Sequence, residues 1–208
     1  MSAIHHIVFD IGHVLLHFDP ASAYEEAIPD SDERSAFLSE ICNVDWIAEQ
    51  DRGRSWAEGE NLLIERHPEK AALIRRFRTH WREMVPHAHD DAVATMRSLI
   101  AEGFDVTLLS NISADKFEEA RALYPFQSEP RGATVSGAIG LIKPDPAIYR
   151  HHEETFGLEP EATLFIDDNA RNIEAAQQCG WNVVHHRPGA AVAPLLQDFG
   201  LTLGTESS

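Results

Sequence analysis

The chain of 208 residues carries 34 Asp and Glu against 17 Lys and Arg, a formal net charge of −17. This excess of anionic groups repels nucleic acid and anionic membrane surfaces, so neither is expected as a partner and small-molecule chemistry is the favoured class. The two cysteines, Cys42 and Cys179, make neither a disulfide framework nor a thiolate metal site, and MSAIHHIVFD lacks a signal-peptide pattern, so a cytoplasmic location is expected.

A chain of this length favours one core carrying a sizeable insertion. Ile4 to Phe9 is a short apolar run ending in a charge, and similar runs recur at Val106 to Leu109, Thr163 to Ile166 and Trp181 to Val184. Continuous apolar character of this kind marks buried parallel strands. Residues 20 to 88 interrupt the rhythm: they are rich in charge, hold three of the four Trp residues, and offer helical patterns at Ala21 to Ile28, Asp32 to Ile41 and Lys70 to Met84 but no strand. Pro20 and Pro86 mark the two passages, which assigns residues 1–19 and 87–208 to a core domain and 20–86 to a helical cap. Further on, Ala92, Val93, Met96, Leu99 and Ile100 have helical spacing and Gly103 ends the helix. Asp145-Pro146 caps a helix running to about Phe156, and Gly180 closes one containing Ile173 and Ala176. The alternation predicts an α/β fold, a Rossmann-like doubly wound parallel sheet with an inserted helical cap. The histidine pairs at 5–6, 151–152 and 185–186 are read as structural or surface residues, and the polar tail Gly204 to Ser208 is expected to fray.

In an open α/β sheet ligands bind beyond the carboxyl ends of the strands, so the first residues after each apolar run are the candidates. These are Asp10-Ile11-Gly12-His13, Ser110-Asn111 and Asp167-Asp168-Asn169, with Lys143 on a loop before a helix. A carboxylate nucleophile, a hydroxyl, a fixed ammonium and further carboxylates are the parts needed to attack a phosphoryl group and neutralise its charge. Asp10, Asp167 and Asp168 at adjacent strand ends would raise one another's pKa values unless a cation held them ionised, and hard oxygen ligands suit Mg2+.

The segments FDIGHVL, LLSN, KPDPAIY and FIDDNARNIEAA resemble, in order and placement, the four motifs of the haloacid dehalogenase superfamily. The resemblance is to the helical-cap branch and, within it, to small bacterial sugar-phosphate phosphatases such as the glucose-1-phosphate phosphatases. It implies a magnesium-dependent phosphatase acting on a small phosphorylated metabolite, sugar phosphates included. Asp10 would be the nucleophile that becomes an aspartyl phosphate, and Ser110, Asn111 and Lys143 would bind the phosphoryl group. Magnesium would be held by Asp10, the carbonyl of Gly12, Asp167 and Asp168, and Asn172 stands where many relatives carry a further acid.

One departure bears on mechanism. Most phosphatases of the superfamily carry a second aspartate two residues after the nucleophile, as general acid and then base, and here that position is Gly12. Glycine cannot transfer a proton, so His13 is the nearest titratable candidate, or else the substrate has a good leaving group such as an anomeric hydroxyl. In the cap, Arg52 within Asp51-Arg52-Gly53 is a candidate substrate contact, whereas Trp56 fits a core role as well as a substrate contact. Two other readings stand beside the phosphatase. One is a 2-haloacid dehalogenase using Asp10 against carbon, with tandem Asp167-Asp168 counting against it. The other is a non-catalytic metabolite-binding protein, supported by Gly12 alone.

Overall fold

A computed structural model describes residues 3–201 of the chain, so the expected fraying of Gly204 to Ser208 lies outside the described residues. Among the described residues the strands β1 (His6–Phe9), β2 (Asp105–Ser110), β3 (Ala133–Val135), β4 (Thr163–Asp167) and β5 (Asn182–His185) form one parallel sheet in the order β3-β2-β1-β4-β5. The chain winds outward from β1 to β2 and β3, then returns to β4 and β5 on the other side, so the direction of winding reverses between β1 and β4. That reversal opens a crevice at their carboxyl ends. Phe9 is level with Leu108 on one side and Ile166 on the other, which brings Asp10 and Asp167 to the same height at the centre of the sheet.

The four expected strands are present, each shifted by a residue or two at its ends. The sequence does not announce β3: it has three residues, at the sheet edge, and Val135 is its one strongly apolar side chain. Alternate residues of the central strands face two cores. Ile7, Phe9, Leu108 and Ile166 face one, while Val8, Leu109 and Phe165 pack with Tyr149 and Trp181 on the other.

Between β1 and β2 the chain is helical. It passes through a 3-10 turn (Pro20–Tyr24), α1 (Ser31–Glu40), α2 (Val44–Asp51), α3 (Trp56–Arg66), α4 (Ala71–Thr79) and α5 (Trp81–Met84), and α6 (Asp90–Ala101) then leads into β2. The expected helix from Ala21 is only that 3-10 turn, and the expected helix from Lys70 to Met84 is two. Ile74, Phe77, Trp81 and Met84 share one helical face, but the chain breaks at His80, whose ring is hydrogen-bonded to Thr79 Oγ1 at 2.9 Å and Arg76 Nη1 at 3.1 Å. The chain leaves and re-enters the sheet region on two adjacent antiparallel passages, joined by His17 N–H to His87 O (3.0 Å) and Asp19 N–H to Met84 O (2.8 Å).

Beyond β2 lie α7 (Ala114–Leu123), α8 (Ser136–Ile139), α9 (Pro146–Phe156), α10 (Ala170–Gln178) and α11 (Ala193–Leu196). Asp145 caps α9 by accepting the Ala147 N–H at 2.9 Å, as its sequence predicts. Of the paired histidines, His152 is core, fully buried and hydrogen-bonded to Thr107 and Thr134 at 2.9 and 2.7 Å. Among the described residues no helix is long and apolar enough to cross a membrane.

Candidate active site

Asp10 follows β1 and its N–H continues the sheet by donating to Ile166 O at 2.9 Å. The chain then turns sharply: the N–H groups of Leu15 and Leu16 both donate to Ile11 O, and the His13 N–H donates to Leu16 O at 2.8 Å. Asp10 accepts the following amide, Ile11 N–H, on Oδ1 at 2.7 Å, which fixes its carboxylate over the strand end.

Lys143 arrives from the loop before α9. Its Nζ lies 2.9 Å from Asp10 Oδ1 and 2.7 Å from Asp167 Oδ2, and it donates to Leu109 O at 2.9 Å, so three strand ends meet on one buried ammonium. A reciprocal amide clamp holds that loop: Asn111 Nδ2 donates to Lys143 O (2.9 Å) and Lys143 N–H donates to Asn111 Oδ1 (2.8 Å). Asn111 thus positions Lys143 and also lines the cavity beside the cluster. Asp167 is fully buried and also accepts from Asn169 N–H and, on both oxygens, from Asn172 Nδ2. Asn172 therefore acts here as a donor, which a further acid at that position could not do.

Oxygens of Asp10, Asp167 and Asp168 lie within 4.8 Å of one another. Burial pushes Asp10 well above the ordinary carboxylate range, with Asp167 adding to the rise and Lys143 opposing it. Burial and then Asp167 raise Asp168, while His13 and Lys143 pull it down. Burial alone would lower Lys143, but the two carboxylates beside it more than offset this and hold it charged. Burial is the larger cause of both rises, and with three acids against one ammonium the cluster would carry an excess of negative charge when ionised. A divalent cation bound by hard oxygens would restore the balance, so the donor set fits magnesium.

Beside the cluster opens a cavity of about 610 Å³, counting its mouth. Its floor is Ile11, Gly12, Ser110, Asn111 and Ile112, and over it lie Ile47, Asp51, Trp56, Phe77 and Trp81 from the helical segment. Trp56 stacks on Phe77 with centroids 5.8 Å apart, and Trp56 Nε1 is 3.2 Å from Ser113 Oγ and from Asp115 Oδ1. The buried Ser110 stands where the floor meets the strand end.

Two expected residues are placed differently. Arg52 is not brought to the cavity: its side chain is 49% exposed and faces Glu49 at 3.7 Å, while its neighbour Asp51 lines the cavity. His13 adopts a left-handed backbone (φ 58°), and its ring packs edge-on to Phe18 at 6.0 Å, outside the residues lining the cavity. Gly12 has no backbone need to be glycine, and a Cβ there would meet nothing within 4 Å. Sequence patterns gave no sign of Phe77, Trp81 and Lys116 as cavity walls, since the same helical spacing serves an ordinary core.

The sequence model of the haloacid dehalogenase-like hydrolases matches residues 4–180. The chain belongs to that family. A sesquiterpene phosphatase of Aspergillus oryzae is 24% identical to this hydrolase over 180 residues, 86% of this chain and 87% of the relative. An (S)-2-haloacid dehalogenase of Burkholderia cepacia is 25% identical over 116 residues, 56% of this chain and 49% of the relative. A crystal structure of a Bacteroides thetaiotaomicron family enzyme, in complex with magnesium and inorganic phosphate, superposes with a TM-score of 0.74 at 20% identity, covering 93% of this chain and 99% of the other. The family hydrolase carries the Rossmann-like fold that the strand and helix order predicts.

Proposed function

We propose that this hydrolase is a magnesium-dependent phosphatase that cleaves a small organic phosphate monoester through a phosphorylated Asp10. One observation supports it above others: a buried lysine and three carboxylates converge at the strand ends, charged so that a divalent cation and a phosphoryl group complete them. Asp10 attacks phosphorus as the ester oxygen departs, and water then attacks the same phosphorus and returns Asp10 as a carboxylate. Lys143 holds Asp10 in line and offsets charge on the phosphoryl oxygens, and the Ser110 hydroxyl donates to one of them. Asp10, Asp168 and the Gly12 carbonyl, with Asp167 behind them, would hold Mg2+, which when bound neutralises phosphoryl charge.

The leaving group extends into the cavity. Its walls are mainly aliphatic and aromatic, which suits a leaving group with an apolar face and offers few partners to the hydroxyls of a sugar. The sesquiterpene phosphatase relative is in keeping with that preference. We therefore place sugar phosphates behind apolar esters as substrates. A cytoplasmic setting belongs to the same proposal and is in keeping with two unpaired cysteines.

Carbon attack on a 2-haloacid would use the same Asp10, and the Burkholderia relative carries that name. A haloacid carboxylate would meet three acids balanced by one ammonium, which ranks this reading second. The test is a panel of alkyl, prenyl and sugar phosphates and 2-haloacids, each with magnesium or with excess chelator. Magnesium-dependent phosphate release, fastest with the apolar esters, is expected. Halide release insensitive to chelator would reverse the ranking.

A further inference from the structure

Resting on the phosphatase reading, we propose that Asp51 is the proton carrier of this enzyme, donating to the leaving-group oxygen and then accepting from the attacking water. The geometry has three parts. First, Gly12 brings no side chain to the floor of the cavity, and the space a Cβ would enter there is open. Second, Asp51 ends α2 and lines the same cavity as Gly12. Third, the turn after it is pressed onto the core: Gly53 has φ 101°, and a Cβ on it would lie 3.0 Å from the carbonyl oxygen of Gly137. This close approach holds the end of α2 against α8, and the Ser113 backbone beside the Asp51 carboxyl favours its ionised form.

Among the described residues no counter-ion acts on this carboxyl to keep it ionised. On its own helix end Glu49 and Arg52 pair with each other at 3.7 Å. From α7, Lys116 Nζ is held by Arg78 O at 2.9 Å and Glu119 Oε2 at 2.7 Å, and Asp115 accepts from Trp56. His13, on the β1 turn, acts on Asp168 instead. Burial pushes Asp51 up to about 7, with the Ser113 amide opposing the rise, so near neutrality it both gives and takes a proton.

The protons balance. As the Asp10 oxygen bonds to phosphorus and the phosphorus–alkoxide bond breaks, the Asp51 proton passes to the departing oxygen and an alcohol leaves. As water bonds to phosphorus and the Asp10–phosphorus bond breaks, Asp51 takes the proton from that water, and inorganic phosphate is released.

The experiment compares wild type with Asp51→Asn on an alkyl phosphate, whose leaving group needs a proton, and on 4-nitrophenyl phosphate, whose leaving group does not. Asparagine keeps an acceptor for the Ser113 amide and removes only the titrating proton. The expected result is a loss of about a hundredfold or more in the rate of alcohol release from the alkyl ester, whereas 4-nitrophenyl phosphate keeps its rapid first-turnover burst of nitrophenolate, which also reports a folded enzyme, and slows only in the later attack of water. The alkaline limb of the alkyl-ester pH profile should vanish in Asp51→Asn and persist in Asp51→Glu. Gly12→Asp added to Asp51→Asn should recover alkyl-ester turnover. Equal losses in first-turnover release of the two leaving groups, no loss on either, or an unchanged alkaline limb would overturn the proposal. Failure of wild type to hydrolyse either ester would remove the phosphatase reading and the proposal with it.

Discussion

The Nζ of Lys143 lies 2.7 Å from Asp167 Oδ2, and both side chains are removed from solvent. A buried pair of this kind costs desolvation to form, so its presence says little for net stability, but removing one partner strands the other. Lys143→Met should therefore lose activity and unfold about 3–5 kcal/mol more easily, read by urea titration. Asp10→Asn removes one negative charge from a cluster with too many and leaves the Lys143–Asp167 contact in place. Its activity should disappear while its thermal midpoint stays level or rises.

Magnesium should raise the thermal midpoint of wild type, because a ligand bound only by the native state stabilises it in proportion to RT ln(1 + [L]/Kd). Asp168→Asn should lose most of that shift, since Asp168 is the half-buried member of the carboxylate set and points an oxygen at the other two. A shift of equal size in the variant would place the ion elsewhere.

His152 gives the fold a defined response to acid. Burial pushes its imidazole down to about 3, so it stays neutral between Thr107 and Thr134 while an unfolded-state histidine protonates near 6.5. The unfolded state then binds more protons across that window, so stability is full above about 6.5 and falls as pH drops toward 3. The contribution is on the order of a few kcal/mol. Unfolding free energies measured at pH 7 and pH 4.5 should differ more for wild type than for His152→Gln, which accepts and donates without titrating.

Trp56 and Phe77 stack over the cavity, so shortening either should act on substrate choice as well as on folding. Phe77→Ala should cost about 3–5 kcal/mol as a buried truncation. Trp56→Ala should raise KM for long alkyl phosphates more than for short ones, measured as a chain-length series. A uniform change across the series would remove Trp56 from the leaving-group site.

The strand ends were legible in the sequence because a buried parallel strand is written as an unbroken apolar run, and the residue that stops it is the one at the crevice. Asp10, Ser110 and Asp167 were found that way. The edge strand β3 escaped because three residues are too few for a pattern. Arg52 shows the limit on helices: successive residues point about 100° apart, so an error of one position exchanged a solvent-facing arginine for the aspartate on the cavity wall. His13 was favoured for standing next to the site in sequence; its ring packs edge-on to Phe18 outside the cavity lining, yet it stays near enough to Asp168 to act on that carboxyl. The cavity itself could not be read, since its walls come from α2, α3, α4 and α5 and use the same apolar spacing as any core.

The central claim is that Asp10 becomes phosphorylated. The direct measurement is a rapid acid quench during turnover of 4-nitrophenyl phosphate with magnesium, followed by mass spectrometry of peptides. A phosphoryl adduct on the peptide containing Asp10 is expected, formed within the first turnover and absent from Asp10→Asn. Phosphate release with no adduct on that peptide, or an adduct on another residue, would contradict it.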